Sequence, residues 1–379
     1  MLPVAFYAPL KHPNHPVPSG DRRIARLLLK ALSEAGFAPS VASTFRSFDG
    51  AGDSTRQAEI EHGAAHETEQ LLERYAHSEP KPQCWFTYHL YYKAPDFLGP
   101  RIARALQIPY VVAEASHAPK RLKGPWSRFS ERTLESIQAA DRVFVMSNRD
   151  WEMLAEAKGD RRALVELTPF LDIDRDLASQ QKSPKTNTGP VRLITVAMMR
   201  AGDKLSSYRL LAEALRQLPE SLDWTLEIIG DGPVRSEVEA SFKAVQRRVM
   251  FLGQLNNPNL IQQHLAKADL MVWPGIGEAY GMAYLEAQAV GTPCAALQLL
   301  GVSTVVEQGV SGVLADPPTA EAYAMLLGTL LADRDRLQAL GQTVCQQVEV
   351  RHSLTKAAST LKTHLMPLIE SATQKASLQ

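Results

Sequence analysis

Cysteine is scarce in this chain. Cys84, Cys294 and Cys345 are spread through 379 residues, and no two of them form a C-x-x-C pair. That spacing argues against a structural zinc site and against a disulfide framework, and it fits a reducing cytosol. Net charge is missing as well: 41 Lys and Arg balance 41 Asp and Glu, giving +0 at pH 7. Nothing in that balance draws the chain to nucleic acid, so no nucleic-acid partner is expected. Long apolar runs are absent too. No window approaches the roughly 18 uninterrupted apolar residues of a membrane-spanning helix. The opening stretch MLPVAFYAPLKHPNHP lacks a basic n-region and breaks at Pro9 and Pro13. It reads as a first buried strand rather than a signal peptide. Internal repeats of the solenoid kind are not found.

What is present is an ordinary globular composition, 45% hydrophobic and 22% charged. At this length it predicts two domains with cores that need no covalent staples. Strand-like and helix-like segments alternate. Val4 to Tyr7, Ala38 to Ala42, Cys84 to Tyr88, Tyr110 to Ala113 and Arg142 to Met146 are short apolar strands. Ile24 to Ala35 has apolar residues at helical spacing and stops at Gly36, and Gln57 to Tyr75 and Phe97 to Leu106 have helical composition. Such β-α-β alternation predicts a parallel sheet covered on both faces.

Residues 179–190, SQQKSPKTNTGP, are polar, hold two prolines and lack large apolar side chains, which marks a linker. The alternation then restarts, with strands expected at Arg192 to Val196, Thr225 to Ile229, Val249 to Leu252, Leu270 to Trp273, Pro293 to Ala296 and Val313 to Leu314. The expected division is residues 1–178, the linker 179–190, residues 191–350, and a C-terminal helix 351–379 packing back on the first domain. The closing SATQKASLQ is expected to fray. Ligands of doubly wound sheets bind at the carboxyl ends of the strands, so two such domains predict a site in the cleft between them.

The segment with most chemistry is WPGIGEAYGMAYLEAQAVGTPCAALQLLGVSTVVEQGVSGVL, Trp273 to Leu314. A buried strand ends at Trp273 and a glycine-bearing loop follows. A helix over Met282 to Val290 then stops at Gly291. A strand-to-helix turn of this kind offers backbone N–H groups at a helix N-terminus, which suits a phosphate. Glu278 precedes the helix and Glu286 lies inside it; carboxylates there suit hydroxyl groups. Taken alone, two Glu eight apart are better explained as solvated surface.

These residues resemble the signature of retaining glycosyltransferases of family four, which have the GT-B fold. The family pattern is P-S-x-x-E-x-F-G-x-x-x-x-E-A, then G-T-P-V, then G-x-x-E-x-x-x-x-G-x-x-G-x-L. Pro274, Glu278, Gly281, Glu286, Ala287, Gly291, Thr292 and Pro293 match it, with Tyr280 for the aromatic, Gly275 for Ser and Cys294 for Val. Gly301, Glu307, Gly309, Gly312 and Leu314 fit the tail, with altered spacing around Glu307. Upstream, Ile228 to Pro233, Phe251-Leu252-Gly253 and Ala268-Asp269-Leu270 are similar to further family segments.

The resemblance implies an α/β GT-B architecture, with two Rossmann-like doubly wound parallel-sheet domains facing across a cleft. It implies transfer of a hexose from a nucleotide-diphosphate sugar to a saccharide, lipid-linked or small-molecule acceptor, with retention, as in polysaccharide biosynthesis. No cofactor and no metal are implied, and Asp172-Ile173-Asp174 is read as part of the exit from domain one rather than as a metal motif. His117, Glu278, Arg200 and Lys204 are the implied catalytic residues. Gly20, Gly253, Tyr280, Gly281, Met282 and Glu286 are the implied donor-binding ones. Arg200 and Lys204 stand four apart, closer than the family's usual basic pair, and Asp21 takes the place beside Gly20 where the family has a second glycine. His89 falls where the family often has another strand-end His, but reads here as a structural hydrogen-bonding residue.

Lys120 to Arg132, KRLKGPWSRFSER, mixes five basic residues with Trp126 and Phe129. It fits a solvated loop and helix start; a second reading makes it an acceptor patch or a peripheral contact with the inner membrane face. The expected location is the cytoplasm. The competing function is a non-catalytic GT-B relative that binds a nucleotide or glycan. A Rossmann dehydrogenase is disfavoured because no G-x-G-x-x-G follows the first strand.

Overall fold

A computed structural model describes residues 1–16, 19–77, 79–172 and 189–378. The chain forms two units. One comprises Met1–Thr168 with Leu354–Gln379, the other Pro169–Ser353. Most of the 179–190 segment, through residue 188, lies outside the described residues, as do Ile173 and Asp174.

The first unit is built on six parallel strands: β1 (Leu2–Tyr7), β2 (Phe37–Val41), β3 (Cys84–Leu90), β4 (Tyr110–Ala115), β5 (Arg142–Val145) and β6 (Leu164–Glu166). Their order is β2-β1-β3-β4-β5-β6. The inner strands β3 and β4 are buried at nearly every position, as a sheet covered by helices on both faces requires. One face carries Phe6, Phe86 and Phe144 in a stacked series, with ring centroids 5.8 and 6.3 Å apart. The C-terminal helix Leu354–Ser377 covers this region. His364 packs edge-on against Phe144 at 6.2 Å, and Thr355 Oγ1 donates to Glu34 Oε1 at 2.7 Å. That helix runs through Ser377, so the expected fraying of SATQKASLQ is not what the structure has. Strand β6 is three residues long, too short for apolar patterning to reveal.

The second unit repeats the scheme with β7 (Val191–Val196), β8 (Trp224–Ile229), β9 (Val249–Gly253), β10 (Leu270–Val272), β11 (Cys294–Leu297) and β12 (Gly312–Ala315), all parallel, in the order β12-β11-β10-β7-β8-β9. Both units are therefore doubly wound α/β, the GT-B type of fold. At Gly230 an added Cβ would lie 1.9 Å from the Ala197 carbonyl oxygen, so glycine lets β7 and the loop after β8 approach this closely. Where the chain leaves and re-enters this unit, two segments are stitched together. Leu171 N donates to His352 O at 2.8 Å, and His352 Nδ1 donates to Pro169 O at 2.7 Å. Burial pushes the His352 pKa down to about 4, so the ring is neutral near pH 7. No helix among the described residues is long and apolar enough to cross a membrane.

Candidate functional site

In the second unit the chain winds outward from β7 through β8 and β9, then crosses back to the other side of β7 at β10. The strand order reverses between β7 and β10, the place where ligands of doubly wound sheets bind. The loop after β7 leads into the helix Asp203–Arg216, and the loop after β10 leads into the helix Met282–Ala289. Three side chains from these segments converge. Lys204 Nζ is ion-paired with Glu278 Oε1, Trp273 Nε1 donates to the same oxygen at 3.0 Å, and Lys204 Nζ lies 5.4 Å from the centroid of the Trp273 ring.

Local chemistry fixes this arrangement. Ser207 Oγ accepts from Ile276 N at 3.0 Å, and Tyr284 OH donates to Trp273 O at 2.9 Å. Gly275 has φ +81°, and a Cβ there would meet Tyr284 OH at 2.4 Å. That explains why this chain has glycine where the resembled pattern has Ser: the Tyr284 hydroxyl occupies the space. Gly277 is equally confined, because a Cβ would fall 2.1 Å from Asp203 Oδ2.

Gly281 is the N-cap of Met282–Ala289, with φ +81° and no side-chain cap. The positive end of this helix therefore lies on the same loop as the Lys204–Glu278 pair. Glu286 sits half-buried within the helix, and Tyr280 is buried just before it. Arg200 is exposed on the loop after β7. Of the basic pair expected from sequence, Lys204 joins Glu278 and Arg200 stands outside that contact. Gly253 ends β9, two strands from β7, with φ +69°; the Asp231–Arg235 ion pair, 2.9 Å, lies beside it.

In the first unit the strand order reverses between β1 and β3. Gly20 opens the helix Gly20–Glu34, and a Cβ there would meet nothing within 4 Å. The fold itself thus makes no steric demand for glycine at that position. His117 lies two residues past β4 and is half-buried. Its backbone N contacts Met153 Sδ at 3.1 Å, its Nδ1 is covered without a hydrogen-bond partner among the described residues, and burial holds its pKa below the usual value.

The more heavily charged position is His89, which sequence reasoning set aside. It stands at the end of β3 in the left-handed region, φ +61°, and Glu114 on neighbouring β4 does the same at φ +57°. Non-glycine residues seldom adopt that conformation. His89 Nδ1 is 3.0 Å from Asp21 Oδ1, an ion pair when the ring is protonated. Burial opposes a charged ring, yet Glu114, Asp21 and Asp150 outweigh it and raise the His89 pKa above the ordinary value. Burial would likewise raise the Asp21 pKa, but His89 and Lys11 bring it below normal. Asp150 is raised by burial against the pull of Arg149 and His89.

A raised His pKa contributes stability that is complete below the unfolded value of about 6.5 and is lost as pH rises through the folded value. His89 therefore contributes a fall in the first unit's melting temperature as pH climbs above about 6.5, against an opposite contribution from His12, His117 and His364, whose pKa values burial lowers. In His89→Asn, a residue that tolerates positive φ, that decline should flatten. Calorimetry of both proteins across this range checks it, and parallel slopes would remove His89 as the source.

The basic segment Lys120 to Arg132 is not a single free patch. Arg128 and Arg132 both pair with Glu61 on the helix Ser54–His77, the Arg132 Nε contact at 3.0 Å.

Residues 190–333 match the family model described as Glycosyl transferases group 1. A D-inositol 3-phosphate glycosyltransferase of Nocardia farcinica is 31% identical over 221 residues, which is 54% of this chain and 48% of that protein. The chain spans about half the length of the curated relatives it matches. Among solved structures, the sucrose-phosphate synthase of Thermosynechococcus elongatus is similar with a TM-score of 0.67 at 18% identity, covering 98% of this chain and 100% of that one. HepE of Anabaena, solved in complex with UDP, has a TM-score of 0.67 at 16% identity, covering 97% and 100%.

Proposed function

We propose that this chain, whose residues 190–333 match the family model described as Glycosyl transferases group 1, transfers a hexose from a nucleotide-diphosphate sugar to a hydroxyl acceptor with retention at the anomeric carbon. One observation carries the reading: Lys204, Glu278 and Trp273 meet at the strand-order reversal of the second unit, on the loop that ends in an uncapped helix N-terminus. Breaking the bond between the anomeric carbon and the diphosphate builds negative charge on the leaving group. The Lys204 ammonium, the Arg200 guanidinium and the N–H groups after Gly281 would stabilise that charge. Glu278 would hold sugar hydroxyls and Glu286 the ribose diol, and His117 would have the sugar-binding role that the resemblance implies. Backbone at Gly20 and Gly253 and the Tyr280–Met282 turn would complete the donor contacts.

In this reading the acceptor hydroxyl attacks from the face of the departing diphosphate and passes its proton to a phosphate oxygen. A charge-compensated Glu278 is a poor nucleophile for the alternative double displacement. No divalent ion is assigned a role. Support for a uridine nucleotide comes from HepE, whose structure holds UDP. The proposed place of work is the cytoplasm, at the inner membrane face when the acceptor is lipid-linked.

The test is thermal denaturation with UDP-, GDP- and ADP-sugars, Glu286→Ala alongside. A ligand at a hundredfold excess over its Kd stabilises by about 2.7 kcal/mol. One nucleotide series should raise the melting temperature, and less so in the variant. No shift with any series in folded protein would defeat the proposal. Binding without transfer to any acceptor would point to a non-catalytic relative.

A further inference from the structure

The loops after β3 and β4 of the first unit bring two cations to one pair of aromatic rings. Tyr92 and Trp126 meet edge to face, centroids 5.6 Å apart. Lys93 Nζ lies 5.9 Å from the Tyr92 ring and 5.1 Å from that of Trp126, and the Arg121 guanidinium lies 5.0 and 4.9 Å from the same two. Neither cation has a carboxylate within ion-pair distance among the described residues, although Arg128 and Arg132 close by do. Asp49, whose backbone N donates to Lys93 O, cannot serve. Its carboxylate is saturated by Ala51 N, Gly52 N, Asp53 N and Gln57 Nε2.

A cation–π contact at a partly exposed site returns only about 0.5–1 kcal/mol. Two further features favour an anion here. Trp126 is the N-cap of the helix Ser127–Ala139, which no side chain caps, so the helix presents its positive end. The Trp126 indole N–H is covered and has no acceptor among the described residues. Ammonium, guanidinium, indole N–H and helix terminus are all donors, and none is an acceptor. The ring series also continues from Tyr92 through Tyr91 to His89, centroids 5.6 and 5.2 Å apart, which links the cluster to the strand ends of the β1/β3 reversal.

We infer that Lys93, Arg121 and Trp126 form a binding site for a phosphate group carried by the acceptor. The inference rests on the transferase reading, since it names the class of acceptor. The phosphate belongs either to a soluble phosphorylated sugar or to a lipid headgroup, and the site's chemistry is the same for both.

The experiment uses the full chain with UDP present in excess to fill the nucleotide site. Glucose 6-phosphate and glucose are titrated calorimetrically, and sedimentation with phosphatidylcholine vesicles is measured with and without phosphatidylglycerol. Lys93→Gln/Arg121→Gln is compared with Lys120→Gln/Lys123→Gln, which removes the same charge from exposed neighbours, and melting curves confirm that both fold. The phosphate ester or the anionic vesicle should bind wild type and the control pair alike, and bind the first pair at least about tenfold more weakly. Loss of ester binding identifies a soluble acceptor, and loss of vesicle binding a lipid one. Equal binding by both double variants, glucose binding as well as its phosphate, or no binding of either probe to wild type would overturn the inference. UDP affinity is read separately. Phosphate binding without UDP binding keeps this site and removes the transferase reading.

Discussion

Alanine at Lys204 is expected to lower kcat by about two to three orders of magnitude, the usual effect of removing one preorganised donor from a developing anion. Affinity for the intact UDP-sugar should fall less, because the diphosphate gains its extra charge only as the glycosidic bond breaks. Arginine should rescue poorly. Lys204 is a point charge fitted between the Glu278 carboxylate and the face of Trp273, and a planar fork demands a different space. The fold should survive, because the pair is only partly buried, with 29% and 16% of the two side chains exposed, and Glu278 keeps the Trp273 N–H. Steady-state transfer assays beside melting curves decide the matter. A kcat within about tenfold of wild type would make the pair structural rather than catalytic.

The largest effect on stability is expected at Asp96. This carboxylate is 2% exposed and accepts four hydrogen bonds: Leu98 N at 2.9 Å and Gly99 N at 2.8 Å on one oxygen, Tyr110 OH at 3.0 Å and the Thr87 hydroxyl on the other. It thereby caps the helix Gly99–Leu106 and anchors the loop that carries Tyr92 and Lys93. Burial raises its pKa, and the four donors offset that only in part. Asp96→Ala orphans all four donors and should cost about 3–5 kcal/mol. Asp96→Asn keeps an acceptor for the two backbone N–H groups and should cost about half as much. Amide exchange of β3 and β4 reads the first unit alone, and protection close to wild type in the alanine variant would contradict this account.

Neither prediction was equally visible in the sequence. The turn around Glu278 was legible because its glycines and carboxylate stand at fixed local spacing, and the structure brings Lys204 to it as one strand-order reversal demands. The strands of both units, β6 apart, were legible because buried parallel strands are short apolar runs. Asp96 was not, since its partners lie on β3, on β4 and in its own turn, and no local pattern joins Thr87, Asp96 and Tyr110. His89 was undervalued for a related reason. The charges that act on it come from Asp21, Glu114 and Asp150, on three separate segments. The basic run Lys120 to Arg132 looked uniform, yet Glu61, about seventy residues upstream, takes two of its arginines and leaves Arg121 to the aromatic rings.

The path of the chain also sets an order of assembly during synthesis. The second unit is one unbroken stretch, whereas the first is completed only by Leu354–Gln379. As the polypeptide is made, the first unit's sheet precedes the whole second unit, yet it gains the cover of Leu361, Leu365 and Ile369 only after Ser353 has been added. The part made earliest is thus finished last. Until then it keeps an open apolar face that chaperones can hold, and a chain cut short before Leu354 would keep that face for good.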